Sequence, residues 1–242
     1  MRQTVSVVVA LVVFTLAGTR VVEAAPIALA LLDSLGHSSG VIVDGSALDL
    51  DPADGVVSFA GAIGEWAVTT TSGSLSVGSM GLHSVDASAT TTSTLFVLFT
   101  SLHHTLISDY YMTFAAALQD GTAAYGAFGD AADVGFGQTV GIGAIGPFVG
   151  DSTLDLFTGE FLGTGPLSAP YSLTQLFVLT GSGAGITLFT GEATLTAVPE
   201  PASIFLLGAG LIVAGLRARR VGASPLGAPH RLEQRGGERW RT

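Results

Sequence analysis

The densest group of residues able to do chemistry lies early in the chain, where Asp44, Asp49, Asp51 and Asp54 fall within eleven residues. The run Asp49-x-Asp51-x-x-Asp54-Gly55 sets hard oxygen donors at short loop spacing, with a glycine to allow a sharp turn. Calcium takes about six to eight such oxygens, so these four aspartates form the candidate metal site and calcium is the ion it would hold. The spacing is not that of an EF-hand, because no glutamate stands twelfth from Asp44 or Asp49. The competing reading is a turn rich in Asp, Pro and Gly whose carboxylates cap backbone amides. No other cofactor is expected.

Other constellations carry less. Gly141-Ile142-Gly143-Ala144-Ile145-Gly146 spells the dinucleotide fingerprint, but Pro147 follows where a helix should begin, and the motif works only between a strand and a helix. Gly135, Gly137, Gly141 and Gly143 share one parity, so a strand there presents a bare face suited to close packing or a bulge. Gly150–Leu154 and Asp33–Leu35 resemble the nucleophile block of GDSL-type esterases, yet no Asp-x-x-His occurs to activate the serine, and a serine without a base is a weak nucleophile. His103 and His104 are adjacent, so on a strand they point to opposite faces and do not chelate one ion. His37 and His83 are isolated. Trp66, with Tyr110, Tyr111, Tyr125 and Tyr171, offers a sugar-stacking platform, against the alternative of core packing. No pair among the acids is nominated for glycoside hydrolysis. No catalytic residue is assigned, and the chain is expected not to be an enzyme.

Charge narrows the field further. All nine basic residues are arginines, and none lies between Val21 and Leu216, whereas seventeen of the nineteen acids fall inside that stretch, fifteen of them from Asp33 to Glu192. The net charge of −10 therefore conceals a body near −15 between positive ends. Such a body cannot neutralise phosphates, which excludes nucleic-acid binding, and it has no lysine for Schiff-base chemistry. Cysteine and asparagine are absent, which removes disulfides, thiolate sites and N-linked glycosylation.

Both ends read as addresses. Arg2 precedes the apolar run Val5–Leu16, and Val22-Glu23-Ala24 places small residues for cleavage after Ala24. Residues 1–24 are thus a signal peptide for signal peptidase. At the other end Pro199-Glu200-Pro201 precedes the apolar run Ile204–Leu216 and the cluster Arg217, Arg219 and Arg220. Thirteen apolar residues are short for a permanent span of about 30 Å, and the arginines hold that end on the cytoplasmic side. This order resembles the PEP-CTERM sorting signal of Gram-negative bacteria. The resemblance implies recognition by an exosortase-type membrane protease, transient anchoring by the C-terminal helix, processing near 198–220, and delivery to the cell surface or an exopolysaccharide matrix. The tail 221–242 continues past the arginines, unlike the family, and reads as disordered.

Residues 25–197 must supply the elements. Short apolar or alternating runs separated by Gly, Asp, Ser and Thr predict strands at Val41–Val43, Gly55–Ala60, Glu65–Thr71, Leu75–Val77, Thr94–Thr100, Tyr110–Leu118, Phe136–Ile142, Leu154–Phe157, Tyr171–Thr180 and Ile186–Ala197. Leu95–Phe99 reads as a central strand buried on both faces. A helix competes for Ser108–Asp120 because of its alanines. The expectation is an all-β chain with a single β-sandwich or jelly-roll-like domain, flanked by the signal helix and the sorting helix. The run Asp44-Gly45, Leu48–Pro52, Asp54–Phe59 and Gly64–Val68 is similar to a recurring passenger domain of PEP-CTERM proteins, one with no assigned activity. The expected role is a non-enzymatic exported protein of the surface or matrix. A carbohydrate-binding module and a carboxylate-dependent hydrolase are the alternatives.

Overall fold

Buried and exposed side chains alternate with a period of two along most of the chain, the mark of strands with one face on a core. The computed structural model describes residues 26–198, apart from 77, 106–107 and 166–167. The signal segment with its cut after Ala24, the sorting residues Pro199, Glu200, Pro201, Arg217, Arg219 and Arg220, both flanking helices and the tail 221–242 lie outside the described residues.

Among the described residues twelve strands form in chain order: β1 (Ile27–Asp33), β2 (Ser38–Val43), β3 (Val56–Ile63), β4 (Trp66–Ser76), β5 (Ser79–Ala89), β6 (Thr94–His104), β7 (Asp109–Gln119), β8 (Gly121–Asp130), β9 (Val140–Gly150), β10 (Asp155–Thr164), β11 (Tyr171–Gly181) and β12 (Thr187–Val198). They build two antiparallel six-stranded sheets. The first has the order β2-β1-β6-β11-β8-β9 and the second β10-β7-β12-β5-β4-β3. From β5 to β8 the chain crosses between sheets at every connection, and again from β9 to β12. The result is the all-β sandwich that the sequence led one to expect.

Inward-facing residues of the two sheets meet in one core. Leu29, Leu31, Val97, Phe99 and Leu179 of the first sheet face Trp66, Leu82, Met112 and Leu195 of the second, each no more than 1% exposed. Phe114 sits at the centre of an aromatic group, its ring 6.3 Å from Tyr125, 5.3 Å from Phe148 and 5.6 Å from Phe177. Stacked and tilted pairs at such spacing add to the burial of the rings themselves. Gln175, fully buried, donates from Nε2 to the Met80 carbonyl at 2.7 Å and so ties β11 to β5 across the core.

Several expectations need correcting. The strand expected at Tyr110–Leu118 forms, as β7, and the competing helix does not, since pairing with both β10 and β12 satisfies the backbone and overrides alanine's helix propensity. The separate runs 65–71 and 75–77 are one strand, β4. The run 136–142 starts too early, because β9 begins at Val140. Three strands escaped notice altogether: β1, β5 and β8. In β5 the parity changes at Ser84, whose φ of 49° marks a bulge, so that Met80 and Leu82 face inward before it and Val85 and Ala87 after it. β8 is made mostly of Gly and Ala, which carry little strand propensity. Finally, β6 is central but not buried on both faces. Leu95, Val97 and Phe99 are buried, while Phe96 and Leu98 on the other side are half-buried.

Candidate functional site

The outer face of the second sheet concentrates polar side chains. Register places Leu162, Tyr111, Thr196 and Ser79 in one row across β10, β7, β12 and β5. The next row runs Glu160, Thr113, Thr194, Gly81 and Ser74, and the third contains Thr158, Ala115 and Glu192. Threonine suits these positions because its branched Cβ fits a pleated surface while its hydroxyl reaches solvent.

Hydrogen bonds join the rows sideways. Thr113 and Thr194 share one between their hydroxyls at 2.7 Å, and Ser79 and Thr196 share another at 3.2 Å. His83 reaches the Ser74 hydroxyl at 3.0 Å through Nε2. To do so its ring lies over Gly81, where an added Cβ would come within 2.3 Å of Nε2. The glycine is therefore a saddle for the imidazole. A shallow depression of about 300 Å³ opens between Thr113, Thr158, Glu160, Glu192 and Thr194. Tyr111, 37% exposed, lies in the neighbouring row beside Glu160. A side-chain hydrogen bond with Glu160 leads the causes that hold the Tyr111 phenol above its ordinary pKa, so the phenol remains a donor.

The acidic loop is laced by hydrogen bonds to its own backbone. Asp49 accepts the amides of Asp51 at 3.0 Å and Ser58 at 2.9 Å on Oδ1, and that of Gly45 at 3.1 Å on Oδ2. Asp44 accepts the Gly55 amide at 2.8 Å, and Asp51 accepts that of Ala53 at 2.9 Å. Asp54 is exposed. Among the described residues no group of three or more histidine, cysteine or acidic side chains is placed to hold a metal ion. The geometry is that of a loop pinned by carboxylate-to-amide bonds.

Trp66 is fully buried, as are Tyr110, Tyr125 and Tyr171, each at most 3% exposed. None of these four rings presents a stacking face to solvent, which leaves Tyr111 alone of the proposed platform. Their role is packing: the hydroxyls of Tyr110 and Tyr171 share a buried hydrogen bond at 2.5 Å. Burial comes first among the causes that push the Tyr110 phenol far above its ordinary pKa.

Two histidines are held by aspartates in the same manner. Asp33 accepts the His37 amide at 2.8 Å and its Nδ1 at 2.7 Å. Asp133 accepts the His103 amide at 2.8 Å and its Nδ1 at 2.5 Å. An ionised carboxylate only accepts, so both rings carry the proton on Nδ1 and turn Nε2 outward. Burial works to raise the Asp33 carboxyl, but hydrogen bonds from His37 and the Leu35 amide outweigh it and hold the group below the usual carboxylate range. Gly64, with φ of 56°, lies so close that a Cβ there would come within 2.1 Å of Asp33 Oδ2. His103, at a φ of 63°, stands exposed beside Asp133, while His104 stacks on Tyr171 with centroids 5.5 Å apart.

Gly141–Gly146 lies inside β9, without a helix after it. Of the four glycines of shared parity, Gly135 and Gly137 sit in the loop before β9. Gly143 is covered by Phe161 of β10, whose ring a Cβ would meet at 2.3 Å.

The fold and face thus define an all-β sandwich with one exposed hydroxyl-and-carboxylate surface. Residues 197–220 match the PEP-CTERM protein-sorting motif. The chain therefore carries a signal for exosortase-dependent export to the cell surface. The chain matches no curated protein. Among solved structures it is similar to the N-terminal cellulose-binding domain of a β-1,4-glucanase from Cellulomonas fimi, at 17% identity over 64% of this chain and 95% of that one, with a TM-score of 0.34. It is also similar to a family 11 carbohydrate-binding module of a Clostridium thermocellum cellulase, at 9% identity over 63% and 93%, with a TM-score of 0.30. A third is TmCBM61, solved with β-1,4-galactotriose, at 11% identity over 60% and 83%, with a TM-score of 0.31. At such scores the likeness carries neither ligand nor site to this chain.

Proposed function

We propose that this is an exported, non-enzymatic surface protein whose sandwich binds carbohydrate through the outer face of the second sheet. The observation that carries the reading is the row Glu160–Thr113–Thr194, with Tyr111 beside it and Glu192 across the depression. Sugar rings present hydroxyls that both donate and accept. Carboxylates take the donated hydrogen bonds, threonine hydroxyls do either, and an exposed phenol ring supplies an apolar face. The depression is shallow and lies on a flat strand surface, which suits an extended chain rather than an enclosed small molecule.

The same chemistry selects the polymer. Glu160, Glu192, Asp86 and Asp109 lie on this sheet, and no basic residue occurs between positions 21 and 216. An acidic polysaccharide would be repelled, so the ligand is a neutral one. Surface sorting puts the domain where such polymers are. After signal peptidase and an exosortase-type protease have acted at the ends, the winding of β5 to β12 reads as a jelly roll held in the extracellular matrix. Screening the exported protein against a glycan array tests this, with reducing-end release measured alongside. The expected result is retention of neutral polysaccharides without turnover. Turnover would favour the hydrolase alternative, and retention of none would overturn the binding role.

A further inference from the structure

The outer face of the first sheet has the opposite character. One register row reads Val41, Ala30, Leu98, Leu176, Gly126 and Ala144 across all six strands. The neighbouring row contains Leu32, Phe96, Val178 and Ala124. Hydroxyl rows flank this apolar band. On one side Thr94 and Thr180 share a hydrogen bond at 3.0 Å with Thr122 beside them. On the other are Thr100 and Thr174, buried where the loop before β9 donates the Phe136 amide to Thr100 Oγ1. None of the residues in these rows is charged, and the fifteen acids of the body all lie elsewhere.

We infer that this face pairs with the same face of a second copy of the chain. Charge selects the face through which copies can meet. A body with fifteen acids from Asp33 to Glu192 and no base between positions 21 and 216 meets its own copies with least repulsion through this uncharged band, and it is repelled by anionic lipid surfaces as well. Back-to-back stacking makes four sheet layers about 10 Å apart, so the two acidic faces end about 30 Å from each other, beyond a screening length of about 8 Å. Area also fits. Six strands about 4.8 Å apart and three rows about 7 Å apart, the two apolar ones and that of Thr94, cover about 600 Å² per copy, or about 1,200 Å² for the pair, the lower edge of specific interfaces. A two-fold axis in the plane of the face sets the two apolar rows on their symmetry copies, an isologous contact that closes at two. If the carbohydrate reading above also holds, such a dimer carries its binding faces in opposite directions and bridges two polymer chains, a consequence that rests on that reading while the pairing does not.

Sedimentation velocity of the exported protein from 1 to 100 μM tests the pairing without any glycan. The expected result is a monomer–dimer equilibrium in the micromolar range that tightens as sodium chloride is raised. Leu98→Glu should leave a monomer, and the paired change Leu176→Thr with Val178→Thr, which keeps strand propensity, should weaken association at least tenfold with an unchanged circular dichroism spectrum. A wild type that stays monomeric at 100 μM in high salt overturns the inference. So does a dimer that survives the threonine changes, and so does binding of neutral or anionic vesicles in place of dimerisation. Should Leu98→Glu fail to fold, the threonine variant decides.

Discussion

Thr113 and Thr194 share a hydroxyl hydrogen bond of 2.7 Å across β7 and β12, between Glu160 on one side and Glu192 on the other. That bond holds two hydroxyls at fixed spacing on the surface. Preorganised polar groups of this kind cost a ligand less ordering on binding. Replacing both threonines by valine keeps shape and strand propensity while removing the hydroxyls. The fold should persist, with a melting temperature within about 2–4 °C of wild type, while carbohydrate retention falls at least tenfold.

Gly81 should be equally telling. A methyl there meets His83 Nε2 at 2.3 Å, so Gly81→Ala lifts the imidazole from its saddle and breaks the contact with Ser74. The expected outcome is a destabilisation of about 1 kcal/mol in urea titration, together with a shifted His83 ring signal by NMR. An unmoved ring would contradict the packing described.

Gln175 crosses the core to the Met80 carbonyl. Gln175→Ala leaves that carbonyl unsatisfied and opens a cavity, and should cost about 2–4 kcal/mol of stability. Chemical denaturation of the purified domain measures it.

The acidic loop yields a prediction about order rather than catalysis. Asp49→Ala removes the acceptor of three amides and should lower stability by about 1–3 kcal/mol. Because the carboxylates are engaged by backbone, the loss should be equal with millimolar calcium and with EGTA. A loss seen only with calcium present would assign the ion a part in the loop.

Stability should also fall in mild acid. Burial first of all, with His103 nearby and against the pull of Asp133, lowers the pKa of His104 to about 4 from 6.5. The unfolded chain therefore takes the proton first. The stability gained from a neutral ring is complete above about pH 6.5 and is lost as pH falls from there towards 4, by about 2–3 kcal/mol. Asp33 and Asp133, held below the ordinary carboxylate range, keep their contribution until pH falls below about 3.8. His104→Phe, which retains the stack on Tyr171, should flatten the upper part of the profile and leave the lower part.

Much of the sandwich was legible in the sequence. β11 and β12 lie almost where the pattern set them. β5 was hidden because the bulge at Ser84 reverses which residues face the core, and a period-two pattern does not survive a change of parity. β8 was hidden because Ala and Gly read as filler until β11 and β9 are seen on either side of them. The polar face left no signal of its own. Tyr111, Glu160, Glu192 and His83 come from four strands far apart in the chain, and only register brings them to one surface. Threonine-rich runs pointed to solvent-facing positions without saying which face they shared. The apolar band of the first sheet was half-visible in Leu95–Phe99, read as buried on both sides because it is apolar on both. Trp66 was the reverse case, an aromatic residue that drew attention for binding and serves packing instead.

Native affinity gels give the most direct test of the central claim. The exported protein and its paired variant Tyr111→Ala with Glu160→Gln would run side by side through gels cast with a neutral polysaccharide, an acidic one, or none. The account predicts retardation of the wild type by the neutral polymer alone and free passage of the variant in all three. Equal mobility of both proteins in every gel, or retardation of both alike, would contradict it.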